Sequence, residues 1–150
     1  AARGDPLAKA ALDRAVRWLE QTPTDGDPQS LALRLIVWRR IGKPAEECAA
    51  LVRKIQERQL PDGGWSQSAE MAPDAWATGQ ALFALAEAGL KPTEPAIARG
   101  QAFLINTQQD NGAWPMTSRP TKPGGAGSNS LIPITGAGSA WGVLGLVHSQ

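Results

Sequence analysis

One cysteine and one histidine are all that 150 residues contain of the usual metal-binding side chains other than carboxylates. A lone cysteine excludes an internal disulfide and any multi-cysteine zinc site. Charge is scarce as well. Charged residues make up 19% of the chain, below the usual quarter. The 15 basic and 14 acidic residues leave a net charge of +1, which argues against a nucleic-acid surface driven by bulk charge. No apolar run approaches the roughly 18 residues of a transmembrane helix. No signal peptide is visible and the first residue is Ala, so the chain reads as a processed or excised product whose compartment is unreadable. A P-loop and a Gly-x-Ser-x-Gly elbow are absent. The cluster Gly124-Gly-Ala-Gly127 follows no strand signal and makes a poor phosphate loop.

What is present is an apolar fraction of 42% in a chain of single-domain length, enough to bury a core. An internal repeat is also present. Gln59-Leu-Pro-Asp-Gly63-Gly-Trp65 reads Q-x-x-x-G-x-W, and Gln108-Gln-Asp-Asn-Gly112-Ala-Trp114 reads the same 49 residues later. A second register agrees. Asp27 leads an apolar stretch to Gly42-Lys43-Pro44, and Asp74 leads another to Gly89-Leu-Lys91-Pro92, with the two Asp 47 residues apart.

Each repeat reads as two helices. Asp27 and Asp74 are N-cap types, and Pro28 follows the first where its missing N–H costs nothing. The first of these helices runs to about Ile41, where Gly42 and Pro44 stop it. Further helices are expected from about Pro44 to Gln59, Ala75 to Ala88 and Glu94 to Gln108. Leu51 and Ile55 recur at helical spacing in the Pro44–Gln59 helix, among many charges. The helix after Asp74 is nearly apolar all round, so it should be buried on most sides. Ala98, Phe103 and Leu104 are core candidates in its partner. Earlier, Pro6 to Gln21 carries Leu7, Ala11, Ala15, Trp18 and Leu19 on one side. The last helix is expected over about Ser139 to His148, with Ser139 as its cap. Polar-faced and apolar helices alternate, which predicts an outer layer wetted on one side and an inner layer packed on both. Strand signals are weak; Ser130 to Thr135 is tempting, and Pro133 counts against it. The expected organisation is one all-α domain over 1–150, with repeats at about 6–42, 44–90 and 92–150 and a long loop at 109–138. From Gly112 to Gly138 that loop holds six Gly and four Pro in 27 positions, and such loops are functional or poorly ordered.

The Q-x-x-x-G-x-W phrases resemble the QW motifs of squalene–hopene and oxidosqualene cyclases, in the prenyltransferase and squalene cyclase repeat superfamily. The stretch Asp74-Ala-Trp-Ala-Thr-Gly-Gln-Ala-Leu and the phrase Ala98-Arg-Gly-Gln-Ala-Phe-Leu add to the likeness, which covers about residues 7 to 150. Phrases around Thr117-Ser-Arg-Pro and Gly138-Ser-Ala-Trp141-Gly are similar to degenerate bacterial members of uncertain function. The resemblance implies a terpenoid-cyclase fold, an α/α toroid of helical hairpins. Three hairpins are about half of such a ring, so a partner chain, a homodimer or further repeats would complete it. The first repeat is worn: Pro23 stands where Gln is expected and no Trp follows Gly26. It is placed to act as a polar cap.

Gln can donate and accept hydrogen bonds at once, Gly permits a sharp turn, and Trp covers the junction with an apolar plate and one donor. Gln59, Gly63, Trp65, Gln108, Gly112 and Trp114 are therefore read as scaffold. The resemblance also implies a catalytic Asp-x-Asp-Asp motif. The best match is Asp74-Ala75-Trp76-Ala77, in which the middle and third acids are replaced. A lone Asp74 has a plainer task as a helix cap. Zinc-dependent protein prenyltransferases in the superfamily use Asp, Cys and His, but Cys48 and His148 show no convergence; no metal and no cofactor are expected. The thioester signature Gly-Cys-Gly-Glu-Gln is missing, since Ala-Ala follows Cys48. Asp74, Trp76 and Trp141 remain as candidate ligand-binding residues. The two Trp are read as equivalent early positions on two inner helices, either filling the core or offering aromatic faces to an isoprenoid or other apolar ligand. The expected function is a non-catalytic binding or scaffold module for a hydrophobic ligand or a protein partner. The competing reading is a terpene-cyclase-like enzyme, or a fragment of one.

Overall fold

The computed structural model describes residues 5–24, 27–118 and 131–150. Among these residues six helices follow one another: α1 (Pro6–Gln21), α2 (Pro28–Ile41), α3 (Ala45–Gln56), α4 (Ala75–Glu87), α5 (Pro95–Thr107) and α6 (Ile132–His148). The fold is an all-α helical repeat, and the β structure among the described residues is one isolated bridge between Ser66 and Pro73. Helices α1, α2 and α4 start where the sequence supplies side-chain caps. Asp5 accepts from the Leu7 N–H, Asp27 from Gln29 and Asp74 from Ala77, each cap contributing about 1 kcal/mol. At the far end of α2, Gly42 adopts φ 74°, a left-handed conformation that glycine enters without a Cβ penalty.

Helices α2, α4 and α6 form an inner layer with α4 in the middle, while α3 packs on α2 and α5 packs on α4 and α6. The apolar helix α4 is buried on most sides, as its composition predicts: Ala75, Ala77, Ala81, Leu82, Ala84 and Leu85 all join the core. Outer helices bury one stripe each, Cys48, Leu51 and Ile55 in α3 and Ile97, Gly100, Phe103 and Leu104 in α5. The closest packing is between α4 and α6, where glycines let two backbones touch. A Cβ on Gly79 would run into the Trp141 carbonyl, and one on Gly145 would lie 2.8 Å from the Gly79 Cα.

Several expectations are corrected. The last helix begins at Ile132, two turns before Ser139, because Pro133 is compatible with a helix's first turn. Ser139 is thus not a cap, and residues 132–138 belong to a helix rather than to a loop or strand. The rest of that expected loop divides: residues 109–118 are described, whereas 119–130, with Arg119, Lys122 and the Gly124–Gly127 cluster, lie outside the described residues. Ala98, expected in the core, is exposed. The inner layer is not packed on both sides throughout, since α6 exposes Val143, Leu144 and Val147. Nor is α1 a polar cap: it buries no residue and exposes Leu7, Leu12 and Trp18. It is held by Lys43, whose ammonium meets the Glu20 carboxylate, and by Arg34, whose Nη1 donates to the Thr22 carbonyl at 2.9 Å.

Candidate functional site

Two junctions between outer and inner helices are built alike. Gln59 Nε2 donates to the Gly63 carbonyl at 2.9 Å, and Gln108 Nε2 donates to the Gly112 carbonyl at 2.9 Å. The indole of Trp65 donates to the Ile55 carbonyl at 2.7 Å, and that of Trp114 to the Leu104 carbonyl at 2.9 Å. Each Trp thereby occupies a carbonyl near the end of the preceding outer helix while its ring is buried. Each also anchors the next inner helix through its own N–H, Trp65 to Thr78 Oγ1 at 2.9 Å and Trp114 to Ser139 Oγ at 3.1 Å. Gly63 and Gly112 make the turns with φ of 94° and 84°.

These anchors fix the register between α4 and α6. Thr78 corresponds to Ser139, 61 residues later. Trp141 is therefore the counterpart of Gln80, one helical turn beyond Trp76, and the expected equivalence of Trp76 with Trp141 does not hold. The structure nevertheless brings the two Trp to one atom. With its amide oriented as its neighbours require, Gln80 accepts from Trp76 Nε1 at 3.0 Å and from Trp141 Nε1 at 3.3 Å through its carbonyl oxygen. Gln80 is itself buried, and a buried amide oxygen with two indole donors is fully satisfied. Its spacing four residues after Trp76 places both on one helix face, which was the available signal for its role.

Asp74 and Trp76 sit at the N-terminal end of α4. One oxygen of Asp74 accepts the Ala77 N–H at 2.9 Å; the other accepts Gln67 Nε2 at 2.6 Å. The carboxylate is thus held as a helix cap and as a clamp on the loop that precedes the helix. Gln67 was not anticipated from the sequence, for it stands in a loop without helical spacing. Two cavities open here, both lined in part by residues of the segment 115–118. The first, about 280 Å³, is lined by Gln29, Gln67, Trp76, Met116, Thr117, Ser118 and Ile134. The second, about 360 Å³, touches Asp74, Glu70, Met71, Pro73 and Pro115. Trp76, Met116 and Ile134 give the first its apolar surface, with Gln29, Gln67, Thr117 and Ser118 as its polar points. Trp141 is not on either wall; it packs edge-on against Phe83 with ring centroids 6.0 Å apart.

At the opposite end of the inner layer, Glu87 joins three helices. It meets Arg40 Nη2 at 3.4 Å and His148 Nε2 at 3.1 Å, and His148 stacks on Phe83 at 4.3 Å. Cys48 is buried in α3. Among the described residues no three of His, Cys, Asp and Glu gather where they could hold a metal ion, and no helix is long and apolar enough to cross a membrane.

The paired junctions, the two helical layers and the inner-helix mouth define a cyclase-like helical repeat domain. The family model for the squalene-hopene cyclase N-terminal domain matches residues 29–116, more than half of the chain. The chain belongs to that family.

Proposed function

We propose that this chain is a non-catalytic member of its family, holding an apolar ligand of isoprenoid type at the mouth of the inner layer. The observation that carries the reading is the cavity of about 280 Å³ beside Trp76, in which Met116 and Ile134 supply apolar walls and Gln29, Gln67, Thr117 and Ser118 supply the polar points. Concave, mostly apolar sites with sparse polar groups are what small ligands favour. The state of Asp74 supports the non-catalytic half. Protonating an alkene takes a strong acid backed by supporting groups, whereas Trp76 and Ala77 stand where the second and third acids of the motif would be, and Asp74 is engaged as a helix cap.

Farnesol titration followed by Trp fluorescence tests this. Saturable quenching is expected in the wild type and in Asp74→Asn, because Asn caps a helix nearly as well as Asp. The quenching should be lost in Trp76→Ala. No saturable response in the wild type would defeat the ligand reading. Conversion of squalene to a cyclic product, abolished by Asp74→Asn, would replace it with the enzymatic one.

A further inference from the structure

The first junction is seated against an outer helix, and the second is open. Gln59 Nε2 reaches beyond its own turn to the Ala96 carbonyl of α5 at 2.9 Å, and Arg99 Nη2 of α5 donates to the Leu60 carbonyl at 2.6 Å. A Cβ on Gly63 would lie 2.5 Å from the Arg99 carbonyl. Gln108 is exposed and is bonded to Gly112, and a Cβ on Gly112 would meet nothing within 4 Å. Helix α6 repeats the contrast. Gly79 and Phe83 of α4 receive Trp141, Gly145 and His148. Their counterparts in α6 are Ala140 and Leu144, both exposed. Leu82, against which Gly100 of α5 packs, corresponds to Val143, which is half exposed.

Helix α1 shows the reverse deficit. Aligned on Leu19 and Leu104, it matches α5 position by position: Ala11 with Ala96, Leu12 with Ile97, Arg14 with Arg99, Ala15 with Gly100 and Trp18 with Phe103. In α5 the inward members of this set are buried. In α1, Leu12 is 53% exposed and Trp18 63%. One end of the molecule thus carries an outer helix that packs on the core through Leu19 and leaves Leu12 and Trp18 of its inward face in water. The other carries an inner helix and a junction with no outer helix upon them among the described residues. The two faces are halves of a contact that the protein already makes internally between α5, α4 and the first junction.

We propose that two copies of this chain associate head to tail, α1 of one copy seating on α6 and the second junction of the other. Ala11 then offers its carbonyl to Gln108, and Arg14 reaches the Gln109 carbonyl, as Ala96 and Arg99 do for Gln59 and Leu60. Trp18 and Leu12 cover Val143, Leu144 and Val147. Two such contacts, related by a two-fold axis, close a pair of copies with no heterologous face left over. This rests on the repeat register and is independent of the ligand reading above.

Sedimentation velocity and light scattering of the 150-residue chain test it. The expected species has twice the chain mass. Trp18→Asp and Leu144→Asp should each weaken the dimer by at least about thirtyfold, the loss typical of a central interface residue. Both positions are exposed in the single chain, so far-UV circular dichroism of the diluted variants should match wild type. Mixing the two variants should recover mixed dimers, since one contact between them pairs two unaltered faces. A wild type that stays monomeric at all concentrations overturns the proposal. So does a dimer disrupted by only one of the two variants, which would mean that like faces pair.

Discussion

The two junctions carry the same Q-x-x-x-G-x-W phrase and the same internal bonds, yet they differ in what lies behind them. At the first, Gln59 bridges two carbonyls on separate elements and Gly63 is pressed against α5. At the second, Gln108 closes only its own turn, and Gly112 faces open space. The Trp is buried in both, at 1% exposure for Trp65 and 2% for Trp114. The motif therefore has two separable parts. Trp and its carbonyl bond weld an outer helix to the following inner one, and this part is complete within a repeat. Gln and Gly shape a bed for the next outer helix, and this part gains its full value only when that helix is present.

The comparison can be broken by substitution. The largest effects should be equal at the two junctions: Trp65→Ala and Trp114→Ala should each cost about 3–5 kcal/mol in urea unfolding, as for other buried aromatic truncations. Unequal losses would mean the welds are not alike. Next come the glycines. Gly63→Ala adds a contact with the Arg99 backbone to the cost of a left-handed residue, about 2–4 kcal/mol together, whereas Gly112→Ala should cost about 1 kcal/mol. The Gln pair should split as well. Gln59→Ala leaves the Gly63 and Ala96 carbonyls without their donor and should cost about 1–3 kcal/mol. Gln108→Ala, measured at a dilution where the chain is monomeric, should stay within about 0.5 kcal/mol. If the Gln108→Ala loss grows with protein concentration, an outer helix from another copy is using that amide.

The smallest effect concerns the worn first repeat, where a salt bridge stands in place of a QW weld. The hydrogen bond that the Lys43 ammonium donates to the Glu20 carboxylate raises its pKa above the usual 10.5, with Glu47 adding a weaker pull in the same direction. A group whose folded pKa is raised stabilises fully below its unfolded value and loses that contribution as pH rises through the folded one. Thermal melts should therefore show a slight loss for wild type above pH 10.5 that Lys43→Met abolishes.

Much of this architecture was legible in the sequence, because caps and turns are local. Asp27 and Asp74 start helices, Gly42 and Gly89 stop them, and Gln59, Trp65, Gln108 and Trp114 mark the junctions without reference to anything distant. The start of α6 was missed for a physical reason. Six Gly and four Pro looked like a loop, but Pro133 stands in a first turn, where it is harmless, and Gly138 lies close on the Met116 side chain, as Gly145 further along the same helix lies close on the Gly79 backbone. Those contacts exist only in the tertiary structure. The same misplaced start shifted Trp141 by one turn and suggested a false partnership with Trp76. Of the candidate site, Asp74 and Trp76 were visible as an N-cap and an aromatic neighbour. Gln67, Met116 and Ile134 come from three separate segments, and no spacing rule joins them.

Gln80 gives the inner layer a built-in reporter. One carbonyl oxygen holds an indole from α4 and another from α6, so the helices cannot part at this level without sending an indole N–H in search of water. Such a release shifts tryptophan emission to longer wavelength, and it would do so while every helix remained folded. Slippage between α4 and α6 should thus be seen by fluorescence before circular dichroism registers any loss, with Trp76→Phe and Trp141→Phe assigning the signal to one side or the other.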